Sequence, residues 1–416
     1  MLKGVMFGMG VDEKKATTEV LGQDWVFEWV LETAKMIGLL DDRAMKIIEY
    51  ISKSNTTNVS EIAKHTSIPI ASAHNVINKL VESKFIKVSA YINPYPLGLR
   101  PFSIILTENK IGGSQKVFNA LEDYCTYISK GWSSEPQMYA QVMVPIGHEN
   151  FLTEILDEAV KQGLLSKYEA FPTTPELVVP ISFEKYNKLT KSWDVDWNDL
   201  FSKFDNASGE LDDILRGGGF IRIWLDDVDT AMLKRFEVDA FVSLGDIHRE
   251  MKELSFQGIY YHYIHHIEKK KVVTSLKVHL ELYPSILRGK IATVHTILVA
   301  QPKDTTALAK LVNTLKMASP FTKSITKVLN ANTMIAQFYF PVVELFSLAQ
   351  ALDKLRETGS LVTYKFLVLN TETIKRKGLP YDKFDQKSEE WIWNQDEKLM
   401  KIGQFSRPTT KPGIPA

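Results

Sequence analysis

The sequence predicts an α+β protein in which tandem winged helix-turn-helix domains are each followed by a ferredoxin-like βαββαβ domain, in a pseudo-two-fold arrangement. Three observations predict it. The apolar pattern of the first half recurs in the second. Each half opens with three short helical periods and then a strand. Each continues with alternating strand and helix periods in ferredoxin-like order.

The recurrence is residue by residue. Leu40-Asp41-Asp42 answers to Leu225-Asp226-Asp227, and each Asp pair suits a helix N-cap. Ile47, Ile48 and Ile51 then fall against Met232, Leu233 and Phe236, and Val59 and Ile62 against Leu244 and Ile247, without a gap. After a two-residue insertion, Ile77, Leu80 and Ile86 match Ile264, Ile267 and Val273. The halves close alike, with Trp193-Asp194-Val195-Asp196-Trp197-Asn198 in one and Trp391-Ile392-Trp393-Asn394 in the other. Agreement at start, middle and end predicts an internal repeat.

In the first half, helices are expected over 42–53, 59–66 and 70–83, with a turn at Ser67-Ile68-Pro69 and a strand from Phe85. Helix, short turn and helix is a DNA-reading plan. Residues 102–107 read as a strand. Residues 114–130 read as a helix with Val117, Leu121, Tyr124 and Ile128 on one face. A strand at 137–146, a helix at 150–162 and a strand at 165–171 follow. The second half gives a strand at 291–300, a helix at 304–317, strands near 322–330 and 332–340, a helix at 342–357 and a strand at 361–369.

The expected division is a mobile N-terminus (1–22), helix-turn-helix domain 1 (23–96), ferredoxin-like domain 1 with an extension (97–200), and an acidic, Gly-rich linker (201–219). Helix-turn-helix domain 2 (220–284), ferredoxin-like domain 2 with an extension (285–406) and a mobile tail (407–416) complete it. The linker region is marked by one Lys against seven Asp/Glu over 193–213, followed by Gly217-Gly218-Gly219. Without a Gly-Lys-Ser/Thr ending, the glycines read as a joint rather than a phosphate cradle.

Composition limits the function. The chain has 416 residues, with 50 Lys+Arg balanced by 50 Asp+Glu, so any DNA-binding surface must be a local patch. One cysteine, Cys125, excludes an intrachain disulfide framework and favours a reducing, cytoplasmic setting. The short apolar run from Gly4 to Val11 runs into Asp12 and Glu13. The greasiest stretch, Met334 to Leu352, is broken by Gln337, Pro341 and Glu344, so no membrane span is expected.

The first half resembles the Lrp/AsnC family of feast/famine transcription regulators. The likeness rests on Asp42-Arg43, on Val59-Ser60-Glu61-Ile62-Ala63-Lys64 as the second helix, and on Ile68 to Leu80 as the recognition helix. Asn93-Pro94 to Leu97-Gly98-Leu99 resembles the connection into a regulatory ferredoxin-like domain. The resemblance implies sequence-specific binding of double-stranded DNA and regulation of transcription. It implies one copy and a dimer, whereas two tandem copies here predict an intramolecular pseudo-dimer that is free to pair again as a homodimer. Two departures stand out. The family's glycine before the strand after the recognition helix is Lys84 in one copy and Lys271 in the other. The Gly-aromatic-Asp segment of the effector domain is absent from both, so any small-molecule effector is unknown and a free amino acid is not expected.

Helical spacing puts Ala73, Ile77 and Leu80 inward on the first recognition helix and leaves Ser72, His74, Asn75, Asn78 and Lys79 outward as candidate DNA contacts. Asn makes bidentate contacts to adenine, and Lys suits guanine or phosphate. In the second copy, Tyr260, Ile264 and Ile267 are expected inward, with Tyr261, His262, His265, His266, Lys269 and Lys270 as the candidate contacts. Both segments are locally basic: five Lys/Arg against two Asp/Glu over 56–100, and eight against five over 243–290. His262 and His266, four apart, have a spacing that can hold zinc, but no acidic partner sits at the metalloprotease position, and they read as groove-facing. No nucleophile elbow, Walker or Rossmann pattern is present. The expectation is therefore a regulator with no catalytic site, no bound metal and no cofactor. The alternatives are a protein–protein adaptor with degenerate helix-turn-helix units and, third, a metalloenzyme using the His262–His266 cluster.

Overall fold

The computed structural model describes residues 38–132, 135–189, 192–218, 222–223, 225–280 and 293–403. The expected mobile N-terminus and tail lie outside these residues.

The first three helices are set by local signals. Asp41 accepts from the Ala44 amide at 2.8 Å and opens α1 (Asp42–Ser54). Asn58 accepts from the amides of Ser60 and Glu61 and opens α2 (Val59–Thr66). Ser67 turns the chain in the left-handed region at φ 57, and Pro69 precedes α3 (Ile70–Glu82). Ile47, Ile48, Ile51, Ile62, Ala73, Ile77 and Leu80 close a common core. β1 (Ile86–Ile92) follows.

The chain then forms β2 (Leu99–Glu108), α4 (Gly113–Leu121), β3 (Cys125–Trp132), β4 (Pro136–Pro145), α5 (Glu149–Lys161) and β5 (Leu165–Pro172). The sheet order β5-β2-β4-β3 is antiparallel throughout and ferredoxin-like. One expected element is corrected here. The helix drawn over 114–130 ends at Leu121, and Cys125–Trp132 is a strand. Val117, Leu121, Tyr124 and Ile128 fit a helical face, but the buried Tyr127 beside Ile128 and the β-prone residues after Tyr124 favour a strand between two others. Cys125 is therefore on a strand, its buried thiol donating to the Tyr127 carbonyl at 3.1 Å.

After β6 (Leu177–Val178) come α6 (Trp197–Ser202) and α7 (Asp213–Arg216). The second group of helices is α8 (Asp227–Val238), α9 (Leu244–Glu250) and α10 (Phe256–His262), the last continuing as a π-helical segment, Tyr263–Glu268, into β7 (Val273–Leu280). Capping boxes open α8 (Asp226 with Asp229) and α9 (Ser243 with Asp246). Then follow β8 (Thr293–Pro302), α11 (Thr305–Lys316), β9 (Thr322–Lys327), β10 (Met334–Pro341), α12 (Val342–Glu357) and β11 (Leu361–Leu369), in the sheet order β11-β8-β10-β9. β12 (Lys375–Arg376) pairs with β3, and α13 (Gln395–Gly403) ends the described chain.

Strand pairing and packing tie the halves together. β1 pairs antiparallel with β7, Ile86 opposite Leu280 and Val88 opposite Val278. β3 meets β11 edge to edge, Gly131 opposite Leu369 and Trp132 opposite Val368. The inner sheet faces meet, burying Ile105, Tyr127 and Tyr139 with Ile297, Val299, Ile335, Leu367 and Leu369. Each half also lends its extension to the other. Trp197, Leu200 and Phe201 of α6 join the core beneath α11 and α12, and the Trp197 indole donates to Glu344 at 2.7 Å. Trp391, Trp393 and Ile402 join the core beneath α4 and α5, and the Trp391 indole donates to the Leu97 carbonyl at 2.7 Å.

The stretch expected as a flexible linker is thus folded. Leu200, Phe201, Phe204, Leu211 and Leu215 are buried, each contributing about 1.5–3 kcal/mol on apolar transfer. Its acidic groups face lysines, as in the 2.9 Å pair of Asp212 with Lys316. The charge run hid an apolar stripe.

Candidate nucleic-acid interface

α3 presents a polar face because its apolar residues are used on the other side. Ala73, Ile77 and Leu80 are buried against α1 and α2. His74, Asn75, Asn78 and Lys79 are exposed, and Ser72 is half-buried. They divide between two flanks. Ser72, Asn75 and Lys79 border a recess with Asp41 and Arg43 at the start of α1. His74 and Asn78 lie on the other side, with the Asn78 amide 3.3 Å from His74 Nδ1. Arg43, whose guanidinium is 2.9 Å from Asp41, joins the first group. It was not singled out in the sequence, because proximity of α1's first turn to α3 is a tertiary contact. Asn and Lys on one exposed helical face are equipped for base edges and phosphates respectively.

The turn after α3 is unusual. Lys84 has φ 58 and Lys271, its counterpart, φ 51. Both occupy the left-handed region, where glycine is favoured and other residues are strained by about 1–2 kcal/mol. The glycine noted as missing from the sequence is thus missing from a position whose geometry still asks for it.

The second unit departs from its expected register. Ile259 and Ile267 are buried and Tyr263 half-buried, whereas Tyr260, expected inward, is 52% exposed. Ala73, Ile77 and Leu80 correspond to Ile259, Tyr263 and Ile267, a span one residue longer. The π-helical segment absorbs that extra residue, as a π-bulge does. The two-residue insertion read from the sequence is therefore split between the turn and the helix.

That shift redistributes the six candidate contacts. Tyr261, Lys269 and Lys270 are exposed. His265 stacks on Tyr261 with centroids 4.3 Å apart. His262 and His266, expected outward, turn against α8 instead. His262 Nδ1 lies 3.1 Å from Asp229 Oδ1 and 3.3 Å from Asp226 Oδ2, and His266 Nδ1 lies 2.8 Å from Asp229 Oδ2. The Asp229 side chain is wholly buried. Burial raises its pKa, offset in part by the hydrogen bond from His266. The acidic partner missed from local spacing comes from another helix.

Comparison with known proteins fits this geometry. Residues 42–89 match the IclR helix-turn-helix domain family. The chain is 37% identical over 90 residues to the HTH-type transcriptional regulator FL11 of Pyrococcus furiosus, a match covering 21% of this chain and 60% of that regulator. Residues 42–89 are thus similar to the helix-turn-helix domains of transcription regulators. Among solved structures, AsnC of E. coli aligns over 32% of this chain and 89% of its own, with 18% identity and a TM-score of 0.25. The siroheme decarboxylase NirDL aligns over 87% of this chain and 99% of its own, with 11% identity and a TM-score of 0.43. The last similarity corrects the expectation that the chain is not an enzyme, since a structural neighbour along most of its length is one. Among the described residues, no helix is long and apolar enough to cross a membrane.

Proposed function

We propose that the chain is a sequence-specific DNA-binding transcription regulator in which one polypeptide presents two non-identical helix-turn-helix units. The observation that carries this reading is the α3 face, with Asn75, Asn78 and Lys79 exposed on a helix fixed by Ala73, Ile77 and Leu80 within a matched helix-turn-helix. The two-unit reading is supported by the antiparallel β1–β7 pairing and the exchange of extensions between halves. In a dimer such contacts join two chains, whereas here they join two halves of one at high effective concentration. Because α3 and α10 differ in composition and register, the site recognised by one chain is asymmetric. Ser72, His74, Asn75, Asn78 and Lys79 are assigned to the base edges and the phosphates beside them, and Tyr261, His265, Lys269 and Lys270 to anchoring.

Selection of bound duplexes from a random pool tests the proposal. The full chain is expected to bind the recovered sequence more tightly than a scrambled one, with affinity falling as salt rises. No measurable binding at low salt would replace the regulator with the adaptor.

A further inference from the structure

The histidines drawn away from the groove create a different chemistry. His262 and His266 sit on consecutive turns at the end of α10 and in the π-helical segment, and Asp226 and Asp229 lie one turn apart at the start of α8. One ligand atom from each of the four lies within 4.8 Å of the others. We propose that Asp226, Asp229, His262 and His266 form a binding site for a single divalent transition-metal ion of the zinc class, which clamps the first helix of the second unit to its third.

Three features carry the assignment. The first is convergence. Both imidazoles aim Nδ1 at the same carboxylate, at 2.8–3.1 Å, and His262 also reaches Asp226 at 3.3 Å. Ligands about 2.0–2.2 Å from a tetrahedral zinc ion lie roughly 3.3–3.6 Å from one another, so small shifts convert this cluster into a coordination shell. The second is charge. The ion pairs of Asp226 and Asp229 are with the two histidines, groups that are neutral when they ligate metal. Two carboxylates, one wholly buried, then face each other, and a dication is the charge that balances them. The third is the donor set. Two imidazoles with two carboxylates suit zinc and its first-row neighbours better than the all-oxygen shells of calcium or magnesium.

The capping box explains part of this but not all. Asp226 Oδ1 accepts from the Asp229 amide at 2.9 Å, leaving Oδ2 turned toward His262. A capping box calls for no histidine, and here two converge on it. Four protein ligands make a closed site, which is the structural or regulatory kind rather than the catalytic kind. Its position gives it leverage, because His262 and His266 flank Tyr261 and His265 and precede Lys269 and Lys270. Metal occupancy would fix the helix that carries them. That consequence rests on the regulator reading, but the site itself does not.

The test uses the full chain, stripped with a chelator, and zinc alone as the probe. Calorimetry against zinc is expected to give one site that His262→Ala or His266→Ala weakens roughly tenfold or more. Asp229→Asn keeps the shape of the side chain but removes its charge and turns one acceptor oxygen into an amide donor, and should show the same loss with an unchanged circular dichroism spectrum. His248→Ala, on α9 outside the cluster, should bind as wild type does. Zinc should also raise the thermal midpoint of the wild type and not that of Asp229→Asn. The proposal is overturned if the wild type binds no zinc, or if binding survives in Asp229→Asn or in the double variant His262→Ala/His266→Ala. Those results would leave a buried carboxylate held by two histidines and nothing more. Because DNA takes no part, failure here is distinct from failure of the regulator reading.

Discussion

Gly131 stands at the seam between the two sheets, on β3 opposite Leu369 of β11. A Cβ added there would lie 2.5 Å from Leu367 Cδ1 and 2.8 Å from Cγ. Carbon atoms rest about 3.5–4.0 Å apart, so in Gly131→Ala the leucine must retreat by roughly 1 Å. It has little room, because Leu367 is 3% exposed and packs among residues from both inner faces. Interiors are close-packed, and overfilling them costs about 1–3 kcal/mol. Leu367→Ala alone should cost about 2–5 kcal/mol, from lost burial and the cavity. Combining the two places the new methyl in the space the leucine vacated. The double variant should therefore be more stable than the sum of the single effects by about 1–2 kcal/mol. Urea unfolding followed by tryptophan fluorescence and circular dichroism measures all three. The reasoning fails if Gly131→Ala changes stability by less than about 0.5 kcal/mol, or if the two substitutions are additive.

Two further outcomes follow from backbone and burial. Lys84→Gly and Lys271→Gly should each stabilise the chain by about 0.5–1 kcal/mol, the relief of left-handed strain less glycine's entropy in the unfolded chain. Thermal denaturation checks this, and a loss of stability would mean that the lysine side chains contribute more than the backbone strain costs. His295 is buried between the sheets, 3.0 Å from the Tyr127 hydroxyl, and burial together with the Arg376 and Lys323 cations lowers its pKa to about 3. Above about pH 6.5 it is neutral whether folded or not. Between there and about pH 3 only the unfolded chain takes up the proton, so stability falls with acidification, by roughly 2 kcal/mol at pH 5. Replacing it in His295→Gln should flatten that part of the pH–stability curve, and an unchanged acid limb would refute the assignment.

What the sequence made legible was local. Asp41 and Asn58 cap the helices they precede, and the 73–77–80 spacing placed the buried face of α3. Most strands and helices of the second sheet lie within a residue or two of their expected bounds. What escaped was decided at a distance. Ile128 fits a helix until β4 and β12 arrive to pair with the strand it belongs to. Leu200, Phe201 and Phe204 were masked by neighbouring acids, and only the far half of the chain supplies the surface that buries them. His262 and His266 lacked an acidic partner nearby because Asp229 belongs to a helix three dozen residues earlier. The register error in α10 had a single cause, one added residue absorbed as π-helix, which a 3.6-residue period cannot display.

The central claim is that α3 reads bases while the lysines after α10 hold phosphates. The measurement is the affinity of wild type, Asn75→Ala, and Lys269→Ala/Lys270→Ala for the selected duplex and for scrambled DNA, at several salt concentrations. Asn75→Ala should lose about 1–3 kcal/mol of discrimination at one base position while keeping its scrambled-DNA affinity. The double lysine variant should weaken on both DNAs alike, with a salt slope lower by roughly one unit per lost phosphate contact. If Asn75→Ala leaves the ratio of specific to scrambled affinity unchanged, α3 does not read sequence and the account is contradicted.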